Sequence, residues 1–136
     1  MLSFQKPNVF IIYKNEDVNS LLAGTFWLKG FEPFKFIDGK ESLKRFREID
    51  GKVDAVVIDY EIALDNGLML IVNIKRINPN TKVLIIAEEE SKKIKMYEYG
   101  ADEVILMPLS PTDISDKILL SISKRNLLEK STNDLI

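Results

Sequence analysis

Val53-Asp54-Ala55-Val56-Val57-Ile58-Asp59 is the stretch on which the fold turns. Its centre, Ala55-Val-Val-Ile, is a short continuous apolar block with no polar alternation. Such a block suits a strand covered on both faces, the usual setting of a parallel sheet between helical layers. The carboxylate of Asp59 closes the block, where the chain leaves the sheet.

Val83-Leu-Ile-Ile repeats the pattern downstream. Together the apolar runs predict strands over Val9–Tyr13, Phe34–Ile37, Asp54–Asp59, Lys82–Ala87 and Glu103–Met107. Between them the apolar spacing turns helical. Val18, Leu21, Leu22, Thr25 and Phe26 form a stripe closed by Gly30. Leu43, Phe46 and Ile49 form the next, stopped by Gly51, and Leu68, Ile71, Ile74 and Ile77 a third, ended by Asn78-Pro79-Asn80. Ser91 is the expected cap of a short fourth helix with Ile94 and Tyr97 inward and Gly100 as its stop. Ser110-Pro111-Thr112-Asp113 opens a fifth, with proline at the first helical position. Strands alternating with helices predict an α/β, doubly wound parallel sheet of five strands. One domain is expected over residues 1–129, with 130–136 a tail or the start of a linker.

Composition narrows the chemistry. The chain has 136 residues, 46% apolar and 29% charged, with a net charge of −2. This balance offers neither a nucleic-acid surface nor a polybasic membrane patch. Without cysteine or histidine, thiolate nucleophiles, Ser–His catalysis, His- or Cys-ligated zinc and a phosphohistidine step are excluded. The longest aliphatic run, Leu68 to Val72, is too short to span a bilayer, and Met1-Leu-Ser-Phe-Gln-Lys lacks signal-peptide order, so a cytoplasmic location is expected.

In an open α/β sheet, ligands sit beyond the carboxyl ends of the strands. The residues to inspect are therefore Tyr13 and Lys14, then Asp59, Ala87 and Met107. Here the sequence resembles a known family. Val53 to Asp59, followed by Gly67, is similar to the third strand and loop of response-regulator receiver domains. Tyr99-Gly-Ala-Asp-Glu-Val-Ile-Leu-Met-Pro108 is similar to their Gly-Ala to Lys-Pro segment. The likeness runs from about Val9 to Ile122. It implies a flavodoxin-like, CheY-like strand order 2-1-3-4-5 and a cis bond before Pro108.

It also implies phosphoryl transfer from a histidine kinase to one aspartate. That chemistry requires an acidic pair holding Mg²⁺, a Ser or Thr after the fourth strand and a Lys after the fifth, because the anionic transition state must be neutralised. Asp59 matches the phosphoacceptor. The rest departs: Tyr13 and Lys14 stand at the acidic pair, Ala87 at the hydroxyl, Met107 at the lysine and Val104 at the frequent aromatic switch. Glu88 stands where the family prefers a small residue and is expected to obstruct the pocket mouth. Glu61 stands where the family offers a backbone carbonyl to the metal. Shifting the acidic pair to Glu16-Asp17 would turn the Val18–Phe26 stripe away from the core.

The resemblance therefore implies a degenerate, or pseudo-, receiver domain of two-component signal transduction. It would act by protein–protein interaction rather than as an enzyme, with no cofactor and no metal. The expected partner surface is the fourth helix, fifth strand and fifth helix, carrying Lys92, Lys93, Lys95, Asp102, Glu103 and Lys117, and a homodimer is compatible with it. Lys14 is expected within direct or one-water reach of Asp59. Two rivals stand beside this reading. One is a working phosphoacceptor using Asp59 with Lys14 in place of metal. The other is a small-ligand module in the same crevice, although Lys14-Asn15-Glu16-Asp17 lacks the phosphate loop that flavin binding would need.

Overall fold

The computed structural model describes residues 6–65, 67–107 and 112–120. In chain order it contains β1 (Asn8–Ile12), α1 (Glu16–Leu28), β2 (Glu32–Phe36), α2 (Gly39–Glu48), β3 (Ala55–Asp59), α3 (Tyr60–Ala63) and α4 (Leu70–Ile77). There follow β4 (Lys82–Ala87), a 3-10 turn over Glu90–Lys92, α5 (Lys93–Tyr99) and β5 (Glu103–Leu106). Residues 112–120 are helical and are called α6. The five strands are all parallel, in the order β2-β1-β3-β4-β5.

Each central strand alternates its side chains between two cores. Phe10, Ile12, Val56, Ile58, Val83 and Ile85 face α2, α4 and α5 through Phe46, Leu70, Ile74 and Met96. Val9, Ile11, Val57, Leu84 and Ile86 face α1 and α6 through Leu22, Phe26, Ile114 and Ile118. Burying one such large side chain is worth roughly 1.5–3 kcal/mol, so the sheet is held from both sides. The Phe10 ring adds contacts with Phe36 at 4.7 Å and, edge-on, with Phe46 at 6.1 Å.

Local signals set the helix ends. Asn15 and Asp38 cap α1 and α2, their side chains accepting from Val18 N and Glu41 N. Gly39 admits Leu68, which would collide with any Cβ there. Gly100 ends α5 at φ +112°, a conformation that side-chain-bearing residues rarely adopt.

Three expectations are corrected. On α1, Leu21 is 59% exposed and Asn19 is buried instead. The Asn19 amide donates to Ile11 O, Tyr13 O and Phe36 O, so a polar side chain closes the carboxyl ends of β1 and β2. On α5, Ile94 (71% exposed) and Tyr97 (46%) face outward while Met96 fills the core. The reason is phase: the helix begins at Lys93 after a 3-10 turn, without a side-chain cap from Ser91. The third stripe starts later than expected: Ile71, Ile74 and Ile77 lie on α4, while Leu68 stays in the loop before it, still packed on the core. The cis bond at Pro108, the Ser110-Pro111 helix start and the 130–136 tail lie outside the described residues.

Candidate functional site

β3 pairs with β4 so that Asp59 lies opposite Ile86, one residue short of Ala87. The backbone therefore delivers Asp59, Ala87 and the residues after β1 and β5 to one end of the sheet. A crevice of about 40 Å³ opens there, lined by Tyr13, Asp59, Tyr60, Glu61, Ile86, Ala87, Glu88, Lys92 and Met107. Tyr13 is placed by its own N–H, which donates to Phe36 O at 3.0 Å, and by the Asn19 amide on its carbonyl. Met107 is placed by its N–H, which donates to Ala87 O at 2.8 Å. Ala87 offers only a methyl group. Glu16 and Asp17 lie in the first turn of α1, away from this crevice.

Electrostatically the crevice is acidic. Burial is the main influence on Asp59 and raises its carboxyl above the ordinary carboxylate range. The charges of Glu61 and Glu88 push the same way; the Glu61 backbone N–H and the more distant Lys14 oppose them. Burial likewise raises the Tyr13 phenol, helped by Asp59, Glu88 and Glu61, so Tyr13 stays neutral.

Lys14 makes no direct ion pair with Asp59, although its charge lowers the Asp59 carboxyl. Its exposed side chain lines a separate, larger cavity of about 610 Å³ with Asp38, Lys40, Glu61 and Asp65. Among the described residues, no cation lies within ion-pair distance of Asp59, Glu61 or Glu88. The cation that does line the crevice is Lys92, whose Nζ lies 4.6 Å from the centroid of the Tyr60 ring. Its partner lies far away in sequence, on another turn, and no spacing signal announces such a pairing.

The donor set does not fit Mg²⁺. A phenol and an outward lysine follow β1, and among the described residues no group of three or more Asp or Glu is arranged to hold a metal ion. Mg²⁺ demands several oxygens in near-octahedral order.

An all-parallel 2-1-3-4-5 sheet with a carboxylate closing its central strand is the frame of a receiver domain. The chain belongs to that family: the response regulator receiver domain model matches residues 9–119. A curated relative is the aerobic respiration control protein ArcA of Escherichia coli (strain K12), 28% identical over 131 residues, covering 95% of this chain and 51% of ArcA. The chain thus spans about half the length of the curated relatives it matches. Among solved structures, a response regulator receiver domain protein from Clostridium thermocellum superposes with a TM-score of 0.78 at 22% identity, covering 90% of this chain and 98% of that one. The CheX-CheY-BeF3-Mg+2 complex from Borrelia burgdorferi gives 0.72 at 22% identity, covering 85% and 88%. No helix among the described residues is long and apolar enough to cross a membrane.

Proposed function

We propose that this receiver domain is a pseudo-receiver, signalling by contact with a protein partner and without Mg²⁺-dependent phosphorylation of Asp59. One observation carries the reading: the residues at the strand ends beside Asp59 are Tyr13, Ala87 and Met107, where the chemistry needs an acidic pair, a hydroxyl and an ammonium. A phosphoryl group there would meet two further carboxylates and no hydroxyl at Ala87. Each is a cost to the anionic transition state rather than a stabilisation.

The partner surface we assign is the outer face of α5, β5 and α6. Lys95 and Lys117 are exposed on it, and Ile94 and Tyr97 add apolar area. Asp102 is withdrawn from that surface by an ion pair with Lys75 at 2.6 Å. The domain has no catalytic role in this reading, and its partner is a signalling protein or an effector domain.

Calorimetric titration with Mg²⁺, and then with beryllofluoride, tests the proposal. The expected outcome is no saturable signal at millimolar concentration. A saturable signal abolished by Asp59→Asn would instead favour a working phosphoacceptor.

A further inference from the structure

α1 and α2 cover opposite faces of the sheet and turn opposite kinds of surface outward. On α2, six of the ten residues Gly39–Glu48 are charged. On α1, the eleven residues Val18–Leu28 carry no charge, in a chain that is 29% charged. α1 buries Asn19, Leu22, Ala23 and Phe26. Opposite that face, at positions i, i+3 and i+7, stand Leu21, Gly24 and Leu28. All three are exposed, Leu28 at 86% and Leu21 at 59%. Thr25 beside them spends its hydroxyl on Leu21 O at 2.9 Å. Charge enters only at the margin, where the Lys6 ammonium lies 3.9 Å from the Trp27 ring centroid and Lys35 reaches Ser20 Oγ at 3.3 Å. An uncharged centre with a charged margin is the composition of an interface core and its rim.

Gly24 points the same way. Glycine inside a helix costs stability relative to alanine. Nothing among the described residues calls for it, since a Cβ at Gly24 would meet no atom within 4 Å. Bare backbone in the middle of an exposed apolar stripe lets a second helix approach closely. The stripe is also complementary to its own reverse. Leu21 and Leu28 flank Gly24 on either side. Glu16 and Asp17 form the acidic amino end of α1, while Lys29 and Lys6 lie at its carboxyl end, Lys29 also pairing with Asp116 at 3.2 Å. Reversed pairing sets each Leu21 against the other copy's Leu28 and the acidic end over the basic one; parallel pairing would bring like charges together. We propose that the outer face of α1 binds a second copy of this chain, as an antiparallel α1–α1 contact of two-fold symmetry that crosses at Gly24. It uses none of the α5 and β5 residues of the partner surface. A single-helix contact lies at the small end of specific interfaces, so the pair exchanges with monomer as concentration changes.

Sedimentation velocity of the full chain over a concentration series tests the proposal. Wild type is expected to pass from monomer to dimer as concentration rises, and Leu28→Lys to stay monomeric over the same range. Leu28 is exposed, so the variant keeps its fold, which circular dichroism checks. Gly24→Gln separates the contact from the helix itself. It should raise the melting temperature of the dilute monomer, because a helix former enters open space, and yet move the dimer transition to higher concentration. The orientation is read by disulfide formation, since the chain has no cysteine of its own. In an oxidised mixture of Leu21→Cys and Leu28→Cys chains, the unlike pair should form in excess of the like pairs. A wild type that stays monomeric throughout, a dimer unaffected by both Leu28→Lys and Gly24→Gln, or an excess of like pairs would each overturn the proposal.

Discussion

The two ends of the sheet treat their carboxylates in opposite ways. At the amino end, Asp102 accepts from the Lys75 ammonium at 2.6 Å and from Val83 N at 2.8 Å. Lys75 also donates to Thr81 O, and the Thr81 hydroxyl donates to Val53 O. Asp54 accepts from Asn8 N at 2.8 Å. At the carboxyl end, Asp59, Glu61 and Glu88 share a small crevice with no ion pair among the described residues, and burial holds Asp59 in its protonated form to higher pH than usual. The Asp102 carboxylate has a cation as well as a backbone donor, whereas Asp59 has the Glu61 backbone N–H and, among the described residues, no cation in ion-pair contact, the mark of a place kept for something else. The difference separates what holds this chain together from what it presents to the outside.

Asp102→Ala should break the paired end most visibly. It strands the Val83 N–H and part of the Lys75 charge in a partly buried setting, at an expected cost of about 2–3 kcal/mol in chemical denaturation. Asp59→Asn should do the reverse and stabilise the chain at neutral pH, by less than Asp102→Ala costs, because burial opposes the Asp59 charge and solvent screens it in part.

The pH dependence gives the sign. Asp59 has a raised folded-state pKa, so between its unfolded and folded values the native state keeps a proton that the unfolded chain has released. Stability from this group falls as pH rises through that interval and is constant above it. Denaturation across the interval should therefore show a fall in wild type that Asp59→Asn lacks; parallel profiles would erase the contrast between the two ends.

Smaller effects sharpen the picture. Glu88→Gln removes a charge that disfavours ionisation of both Asp59 and Tyr13, so both titrations should move down. Lys14→Met should move the Asp59 carboxyl further up while changing stability by less than about 1 kcal/mol, because this lysine is exposed and only a distant charge. Carbon-detected NMR titration of the Asp59 carboxyl reads both.

The strands were legible because Ala55–Ile58 and Val83–Ile86 are buried on both faces, and continuous apolar blocks have few other uses. The place of Asp59 followed from the strand it ends. Faces of short helices were less legible. Leu21 lies outside and Asn19 inside because the Asn19 amide N–H groups reach the Ile11, Tyr13 and Phe36 carbonyls at the strand ends, contacts that no leucine could make. On α5 an uncapped start changed the phase, so Met96 rather than Ile94 or Tyr97 reached the core. Of the Lys14 expectation, the direct ion pair is absent among the described residues, while its charge still lowers the Asp59 carboxyl. Lys92 is found only once β3 and β4 are side by side, since its contact with Tyr60 depends on strand pairing.

The most direct test of the central claim is the mass of the intact chain after incubation with a small phosphodonor and Mg²⁺. Wild type is expected to gain no phosphoryl increment. An increment that appears with Mg²⁺ and vanishes in Asp59→Asn would contradict it.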